Sequence, residues 1–333
     1  MAKRTLEAGA RILVNTCAGV QLGESVLIVT DDERLPIAQT LKQAAAAAGG
    51  QPVVVVAPPR QIDNEEPARP VAQAMLGANV ILLPVTLAMA HTQAVRDAIK
   101  AGARVLSMTA FTERQMREGG LFTDFHARRP LCDEFAARLT RANQVRVTNP
   151  AGTKLSFRLE GRRGNSHCCL LSGPGFTAVP NIEANTSPVD GTAEGVLVVD
   201  GSIPYYGVGP VREPVTFEIS GGFVHRIRGG EQAAFLDNLL AAQKDKWVYN
   251  IAQFAIGLNP ACREFTGEML NDEGVNGTIH IGIGTSASLG GEVRAKTHFD
   301  AIIRSPSVWF DGELVIDKGE ILLEVPRLAT TAT

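Results

Sequence analysis

Short apolar runs alternate with amphipathic stretches along the first third of the chain. The apolar runs are rich in Val, Ile and Leu, which is typical of strands buried on both faces of a parallel sheet. Between them, apolar residues recur at the helical spacing and the stretches end at glycine, which predicts helices. The predicted strands are SVLIVTDD, QPVVVVAPP, ANVILLPVT and ARVLSMT, and the predicted helices are LPIAQTLKQAAAAAG and MAHTQAVRDAIKAG. This order predicts an open parallel α/β domain over residues 1–140.

The pattern changes near residue 140. VRVTNPAGTKLSFRLEG is typical of a hairpin with a Pro-Ala-Gly turn, and GTAEGVLVVDGSI and PVTFEISGGFVHRIRGG predict strands joined by glycine turns. We predict one long helical region over EQAAFLDNLLAAQKDKWVYNIAQFAIGLN, followed by further strands. Residues 141–333 are therefore predicted to form an α+β domain with a mostly antiparallel sheet.

Composition narrows the class of partner. The chain has 333 residues, of which 45% are hydrophobic and 20% charged, with a net charge of -3 and both signs interspersed. These values are ordinary for a globular protein, and they exclude a basic surface for nucleic acid or a polybasic patch for membranes. We therefore expect a small-molecule substrate and a second copy of the chain as partners.

The N-terminal segment and the cysteines predict a cytoplasmic location. The start has early basic residues but lacks a long apolar segment with a cleavage-like site, and no apolar run is long enough to span a bilayer. Five cysteines, an odd number without repeated spacing, indicate reduced thiols instead of a disulfide framework. We interpret the adjacent pair Cys168 and Cys169 as packing residues.

The segment THFDAII places a histidine and an aspartate two residues apart on a predicted strand. His298 and Asp300 therefore point to one face, with Phe299 on the other. Such a pair forms either a hydrogen bond or two ligands of one metal ion.

Three further polar residues lie in the second predicted domain. His280 lies in the glycine-flanked strand GTIHIGIG, and it is either a core histidine bonded to a carbonyl or a ligand. Glu183 lies between two prolines in PNIEANTSPVDG, where a loop or a short edge strand is expected. Gln253 lies in NIAQFAIG, near the end of the predicted long helix.

Common motifs for nucleotide binding and serine catalysis are missing from the sequence. GTSASLGG and SGPGF are rich in glycine, but neither has the spacing of a dinucleotide fingerprint or a P-loop. G-x-S-x-G and H-E-x-x-H do not occur. Nucleophilic serine chemistry is therefore not expected.

Three segments together resemble the aminopeptidase T and S type of metallo-aminopeptidase. They are PNIEANTSPVDGTAEGVLVVDGSI, NDEGVNGTIHIGIG and GGEVRAKTHFDAII, and the resemblance covers most of residues 145–325. It implies a two-metal site with Glu183, His280, His298 and Asp300 as ligands. A further glutamate of that family falls at Gln253, whose neutral amide cannot bridge two dications as a carboxylate does.

The first domain is more similar to 2,5-dihydroxypyridine 5,6-dioxygenase, which belongs to the same superfamily. That resemblance implies Fe(II) held by two histidines and one aspartate. His298 and Asp300 match two of these ligands, and the third falls at Gln253. It also implies acid–base roles for His91, in LAMAHTQAV, and His167, in GNSHCCLLSG. Without such a role, His91 is simply a residue at a helix N-terminus.

Three functions follow as expectations. The first is a metal-dependent hydrolase of an amide-type C–N bond that uses Zn, Mn or Co, with Gln253 orienting water or substrate and Glu183 accepting a proton. The alternative is an Fe(II) ring-cleaving dioxygenase of a hydroxylated pyridine. The third is a binding protein with a degenerate metal site. The resemblances also imply a homodimer, and we expect the site in the cleft between the domains, reached by His91.

Overall fold

A computed structural model of the protein describes residues 4–58, 60–287 and 289–323. The outer ends of the two predicted domains, residues 1–3 and 324–333, lie outside this range. The first part of the chain alternates strands and helices as predicted. Its strands are β1 (Ser25–Thr30), β2 (Gln51–Val56), β3 (Val80–Leu83) and β4 (Arg104–Ser107), and its helices are α1 (Leu6–Arg11), α2 (Leu35–Ala47), α3 (Arg69–Leu76), α4 (Gln93–Lys100) and α5 (Phe125–Arg141).

Three shorter helical segments accompany them. The chain continues from α1 into a π-helical segment, Ile12–Cys17, and forms 3₁₀ turns at Asp32–Arg34 and Gly119–Phe122. Helices α1, α3 and α5 are additions to the elements that we predict from the sequence.

The rest of the chain is mostly strands, as the alternating pattern predicts. The strands are β5 (Gln144–Thr148), β6 (Lys154–Arg158), β7 (Asn165–His167), β8 (Gly175–Ala178), β9 (Glu183–Thr186), β10 (Glu194–Val199), β11 (Ser202–Ile203), β12 (Gly209–Pro210), β13 (Val215–Ser220), β14 (Phe223–Arg228), β15 (Ile251–Gly257), β16 (Ile279–Gly284), β17 (His298–Ile303), β18 (Ser307–Phe310), β19 (Glu313–Asp317) and β20 (Glu320–Ile321). Two helices, α6 (Glu231–Ala242) and α7 (Met269–Asp272), and a 3₁₀ turn at Lys246–Tyr249 complete the described elements.

The parallel sheet has the strand order β2-β1-β3-β4-β8. Helices α1 and α2 bury their apolar residues against one face, and α3 and α4 pack on the other. The central strands are buried on both faces, which explains their continuous apolar sequences. Strand β2 differs from the prediction because it lies at the edge, where Val53 is 59% exposed.

The fifth strand of this sheet, β8, comes from beyond residue 140. It pairs in parallel with β4, so that Ser107 lies opposite Ala178. The chain therefore makes the hairpin of β5 and β6, enters the antiparallel part, and then returns to extend the first sheet. Sequence periodicity cannot indicate this pairing, because β8 is short and its partner is distant along the chain.

Two antiparallel sheets form the second part of the fold, as predicted. One has eight strands in the order β14-β13-β10-β6-β5-β18-β19-β20, and the other has seven in the order β12-β11-β17-β16-β15-β9-β7. Aromatic contacts join them: the ring centroids of Phe157 and Phe254 are 5.3 Å apart, and those of Phe217 and Phe299 are 6.5 Å apart. Phe299 thus turns away from its neighbours His298 and Asp300, as the strand period predicts.

The prediction of one long helix over the segment that contains Gln253 is wrong. The helix ends at Ala242, and Ile251–Gly257 forms the fully buried strand β15 between β9 and β16. The β-branched and aromatic residues of IAQFAIG fit a strand whose two neighbours cover it. A continuous apolar run of this length cannot be assigned to helix or strand from periodicity alone.

No helix in the described part of the chain is both long enough and apolar enough to cross a lipid bilayer. The cytoplasmic location itself stays a prediction.

We predict that the Phe299→Ala substitution lowers the free energy of unfolding by about 3–5 kcal/mol, because it leaves a cavity between the two antiparallel sheets. Urea denaturation measures the change. Phe235→Ala is the matched control: Phe235 is 49% exposed, so its removal should cost no more than about 0.5 kcal/mol. Equal effects of the two substitutions would contradict the packing described here.

Candidate metal centre

Polar side chains meet on one face of the seven-stranded sheet, in its four adjacent central strands. They are Glu183 on β9, Gln253 on β15, His280 on β16, and His298 and Asp300 on β17. Hydrogen bonding between the strands fixes their alignment, since Gly282 lies opposite both Gln253 and Asp300. The structure therefore brings together the four metal ligands implied by the aminopeptidase resemblance, together with Gln253.

Glu183 does not lie in a loop or an edge strand. Strand β9 is paired on both sides, with β15 and β7, and Glu183 is 4% exposed. Burying a carboxylate in this way is costly unless other groups compensate it. Glu183 is therefore part of the buried polar cluster.

The donor atoms of this cluster lie close together. His298 Nε2 is 3.5 Å from Asp300 Oδ1, His280 Nε2 is 3.8 Å from the same oxygen, and His280 Nε2 is 3.4 Å from Glu183 Oε2. Two ligand atoms of a tetrahedral site with bonds of about 2.1 Å are about 3.4 Å apart. The pairwise spacings are thus close to those of ligands that share one ion.

Two further observations test whether a metal fits. Asp300 Oδ1 is buried and has no hydrogen-bond partner among the described residues. The donor set of two imidazoles and a carboxylate is the one that non-haem Fe(II) enzymes use, and it also suits Zn. In the ranges that the structure describes, however, no three His, Cys, Asp or Glu side chains already surround one point as metal ligands. The donors fit a metal, and closing a shell around it requires them to reorient.

His298 is prepared for this role by its second nitrogen. Nδ1 lies 2.8 Å from the carbonyl oxygen of Thr285, which accepts its proton and leaves Nε2 to face Asp300. Burial by itself lowers the pKa of His298, but the Asp300 carboxylate and the bond to Thr285 raise it above its ordinary value. A metal ion at Nε2 would take the place of the proton that this environment favours.

His280 lacks such a contact. Its Nδ1 is buried without a hydrogen-bond partner among the described residues. On the other side of the ring, the Gln253 amide nitrogen lies 3.3 Å from Nε2 and 3.5 Å from Glu183 Oε1. Gln253 therefore points a donor at the lone pair that a metal would use, and metal binding at His280 must displace this contact.

A continuous chain of hydrogen bonds fixes the carboxylates. Asn185 and Asn181 donate to the two oxygens of Glu183, at 2.6 and 2.9 Å, and Asn181 also donates to Glu273 at 3.0 Å. Tyr205 connects Glu273 to Asp300, since its hydroxyl oxygen is 2.9 Å from an oxygen of each. Hydrogen bonds of this kind offset the cost of burying three carboxylates.

The two carboxyl groups that Tyr205 connects have pKa values shifted in opposite directions. Burial and the negative charges of Asp300 and Glu183 raise the pKa of Glu273 well above its ordinary value. Burial also acts to raise the pKa of Asp300, but the imidazoles of His298 and His280 hold it below its ordinary value. The environment thus favours the neutral form of Glu273 and the ionised form of Asp300.

Access to the cluster is from the side of His298. Side-chain exposure is 1% for His280, 4% for Asp300 and 6% for Glu183, but 23% for His298. Tyr206, which is 37% exposed, lies next to it, with its hydroxyl 3.5 Å from the His298 carbonyl oxygen. A substrate would therefore meet His298 and Tyr206 first.

His91 belongs to the first part of the fold and lies in the turn before α4. Its backbone nitrogen donates to Asn64 at 2.9 Å, which ties the turn to a neighbouring loop. His91 is exposed at the surface, but the protein around it removes part of its hydration and lowers its pKa, and the positive charge of His298 lowers it further. The imidazoles of His91 and His298 are thus close enough to interact across the two parts of the protein.

His167 lies on β7, directly opposite Glu183 in the strand pairing. Its Nε2 accepts a hydrogen bond of 3.0 Å from the backbone nitrogen of Ala178, and burial lowers its pKa. The structure therefore places His167 beside Glu183 and away from the exposed edge of His298. Its acid–base role stays a prediction.

The cysteines pack as predicted: all five are buried and free. The thiol of Cys132 donates to the carbonyl oxygen of Glu183 at 2.9 Å, and Cys169 Sγ lies 3.2 and 3.3 Å from the carbonyl oxygens of Ala178 and Asn181, either of which can accept its one hydrogen. These contacts support the backbone segment that carries Glu183. Burial raises the pKa of Cys132 to about 12, so this thiol is not a nucleophile at neutral pH.

The sequence matches the family described as NicX: 2,5-dihydroxypyridine 5,6-dioxygenase over residues 10–323. The chain belongs to this family. A relative in it, the 2,5-dihydroxypyridine 5,6-dioxygenase of Pseudomonas putida strain KT2440, is 26% identical over 248 residues, which are 71% of this chain and 69% of that protein. Membership of the NicX family supports the assignment of the chain as an enzyme.

Two solved structures share the fold of this NicX family member. The 2,5-dihydroxypyridine dioxygenase of Pseudomonas putida KT2440 aligns with a TM-score of 0.83 and 20% identity, over 96% of this chain and 97% of that one. Wild-type AmpT from Thermus thermophilus aligns with a TM-score of 0.72 and 16% identity, over 96% and 99%. The resemblance to the dioxygenase family is confirmed by the family match, and the fold is one that AmpT shares.

Several residues of the site were missed from the sequence: Tyr205, Glu273, Asn181 and Asn185. A signal was present for two of them. Glu273 belongs to the segment NDEGVNGTIHIGIG that carries the aminopeptidase resemblance, and Tyr205 is one of three tyrosines in the chain. The asparagines gave no such signal, because Asn is common in turns and loops.

We predict that Gly282→Ala weakens metal binding by at least about tenfold, the lower limit seen when groups that orient metal ligands are disturbed. A Cβ at this position would lie 2.6 Å from Gln253 Cβ, 2.8 Å from His298 Cε1 and 3.0 Å from Asp300 Oδ1, so the ligands must move. Calorimetric titration of the metal-free protein with Mn²⁺ measures the affinity.

The matched control is Gly175→Ala, another glycine in a strand, where the nearest heavy atom to the added Cβ is 3.9 Å away. Its affinity should equal that of the unsubstituted protein. The same affinity for both alanine variants would show that Gly282 does not limit the space at the site.

Proposed function

We propose that this protein is a non-haem Fe(II) dioxygenase that opens the ring of a hydroxylated pyridine or a related hydroxylated N-heterocycle. One observation carries the proposal: Asp300 presents a buried, unpartnered oxygen to the Nε2 atoms of His280 and His298. This is the composition of the two-histidine, one-carboxylate triad of Fe(II) oxygenases. Membership of the 2,5-dihydroxypyridine 5,6-dioxygenase family supports the same reaction class.

The proposed ligands are His280, His298 and Asp300. Gln253 occupies the position where the dioxygenase resemblance implies the third ligand, and an amide is a weak substitute for an imidazole. His280 lies 3.3 Å from the Gln253 nitrogen and supplies an imidazole to the same place. The triad would thus be completed from β16 instead of β15. Glu183 lies next to His280 and would orient it.

A ferrous ion held there would supply the redox chemistry that allows dioxygen to react with an aromatic ring. Both oxygen atoms enter the product as the ring bond breaks, so dioxygen is the only oxidant required. The chain's own residues bind the substrate and move its protons. His91, whose pKa is lowered, is neutral at pH 7 and would accept the proton of a ring hydroxyl. His167 would serve as a second proton carrier beside Glu183.

We expect one iron ion for each chain in protein purified without oxygen, and oxygen uptake when 2,5-dihydroxypyridine is added. Removing a direct ligand should weaken iron binding by more than about 100-fold, since disturbing only the groups behind the ligands costs about 10–100-fold. Iron content and uptake are therefore compared for His280→Ala, His298→Ala and Asp300→Ala.

His225→Ala is the control histidine variant, because His225 is exposed and its ring bonds only to the carbonyl oxygen of Ser220. It should retain iron and uptake. Iron that stays bound in the His280→Ala variant would contradict the proposed third ligand. No uptake across a panel of hydroxylated N-heterocycles by the iron-loaded protein would contradict the reaction class.

A second candidate is the metal-dependent hydrolase of an amide-type C–N bond. Glu183 and His280 favour it, because the aminopeptidase resemblance implies both as ligands and the structure places them 3.4 Å apart. In this case Gln253 would orient water or substrate. The absence of a bridging carboxylate at Gln253 favours one ion over two.

The two candidate functions differ in the metal that they require and in whether the reaction consumes dioxygen. We expect a hydrolase to bind Zn, Mn or Co and to release an amine from short peptides or small amides under anoxic conditions. Such turnover, lost in His298→Ala and Asp300→Ala, would replace the dioxygenase proposal. In either case the partners would be a small-molecule substrate and a second copy of the chain in a homodimer, and sedimentation measures the latter.

A further inference from the structure

Asp300 depends on one side chain for its orientation. Among the described residues, the Tyr205 hydroxyl makes the shortest polar side-chain contact of Asp300, at 2.9 Å from Oδ2. The other oxygen, Oδ1, has no hydrogen-bond partner in the described part of the chain and lies 3.5 Å from His298 Nε2 and 3.8 Å from His280 Nε2. The contact with Tyr205 thus determines which oxygen faces the two imidazoles.

Tyr205 is itself held from both sides. Its backbone nitrogen bonds to Ile203, at the end of β11, and β11 pairs with β17, the strand that carries Asp300. Its hydroxyl also lies 2.9 Å from Glu273, which Asn181 fixes. Because Tyr205 is held at both its backbone and its hydroxyl, its side chain loses little further conformational freedom when it binds Asp300.

We propose that Tyr205 is a positioning residue for metal binding: its hydroxyl holds Oδ2 of Asp300 so that Oδ1 points at the metal between His280 and His298. This inference rests on the proposed function, because it requires a metal at these three residues. It goes further by assigning a role to a residue outside the ligand set, on a segment that is separate in sequence from all the ligands.

The positioning role of Tyr205 follows because a carboxylate has two oxygens, so that one can accept a hydrogen bond while the other binds a metal. A ligand carboxylate that is bound at one oxygen by a hydrogen-bond donor is fixed in orientation, and groups of this kind typically contribute about 10–100-fold to metal affinity. Without the Tyr205 hydroxyl, Asp300 is free to turn both oxygens toward the imidazoles or toward Glu273. Binding a metal must then restrict that rotation.

The experiment measures the dissociation constants of metal-free protein for Fe²⁺, without oxygen, and for Mn²⁺, by competition with a chromophoric chelator. We expect Tyr205→Phe to weaken binding by about 10–100-fold. The absorption spectrum of the Co²⁺ protein should also change, because the geometry at Asp300 changes. Circular dichroism establishes that the variant is folded.

Tyr206→Phe is the matched control. Tyr206 is the next residue, and its hydroxyl contacts a backbone carbonyl oxygen at 3.5 Å instead of a carboxylate. Its dissociation constants should stay within about threefold of the original, because among the described residues its hydroxyl contacts the backbone of His298 and no ligand atom of the proposed centre. Equal weakening in both tyrosine variants would overturn the inference.

A second measurement does not require Tyr205 to be replaced. The chain has three tyrosines, so the double variant Tyr206→Phe, Tyr249→Phe leaves Tyr205 alone. Metal binding at Asp300 draws charge from the carboxylate and should perturb the ultraviolet band of this single tyrosine. A metal titration without any change in that band would overturn the inference.

His298→Ala separates this inference from the proposed function. If the original protein binds no metal, or if His298→Ala binds it equally well, the proposed metal centre fails. If the original protein binds metal, His298→Ala loses it and Tyr205→Phe keeps full affinity, the metal centre stands and the role of Tyr205 is wrong.

Discussion

Three buried carboxylates determine how this part of the molecule is built. Glu183, Glu273 and Asp300 lie within one polar chain inside a sheet, where an uncompensated charge is costly. The chain meets that cost with amide donors on Glu183, an environment that favours neutral Glu273 and two imidazoles beside Asp300. A metal would add positive charge at the point where negative charge is concentrated. The strand register, Gly282 and the two asparagines all serve this arrangement.

The neighbouring residues also explain how a site can change within a conserved fold. Gln253 and His280 lie on adjacent strands and their side-chain nitrogens are 3.3 Å apart. A ligand lost at one of these positions can therefore be supplied from the other without any change in the backbone.

Much of the fold could be predicted from the sequence where the local pattern is strong. The β-α-β units up to β4 and the hairpins of β5–β6 and β13–β14 are set by apolar periodicity and glycine turns, and all of them are present. Strand β15 was assigned wrongly because a fully buried run of seven residues has no polar alternation to reveal its period. Helices α1, α3 and α5 were not predicted, and β8 could not be found because its pairing is distant.

The residues of the candidate site also fall into those that could be predicted from the sequence and those that could not. His298 and Asp300 could be paired from the sequence, since two residues of one strand share a face. His280, Gln253 and Glu183 come together with this pair only through the strand order β17-β16-β15-β9. Periodicity does not reveal that order, and only the family resemblance implied that these residues share a site. Tyr205 and Glu273 were missed because the weak signals they carry in the sequence do not show that the folded chain brings both to Asp300.

The return of the chain to the parallel sheet has a consequence for synthesis on the ribosome. Strand β4 is made with one edge open, and β8, which covers that edge, follows about seventy residues later in a chain that grows at about 5–20 residues per second. For several seconds the apolar edge of β4 is without its final partner. Open strand edges of this kind promote association between chains, so the nascent protein passes through a period in which chaperones would protect it.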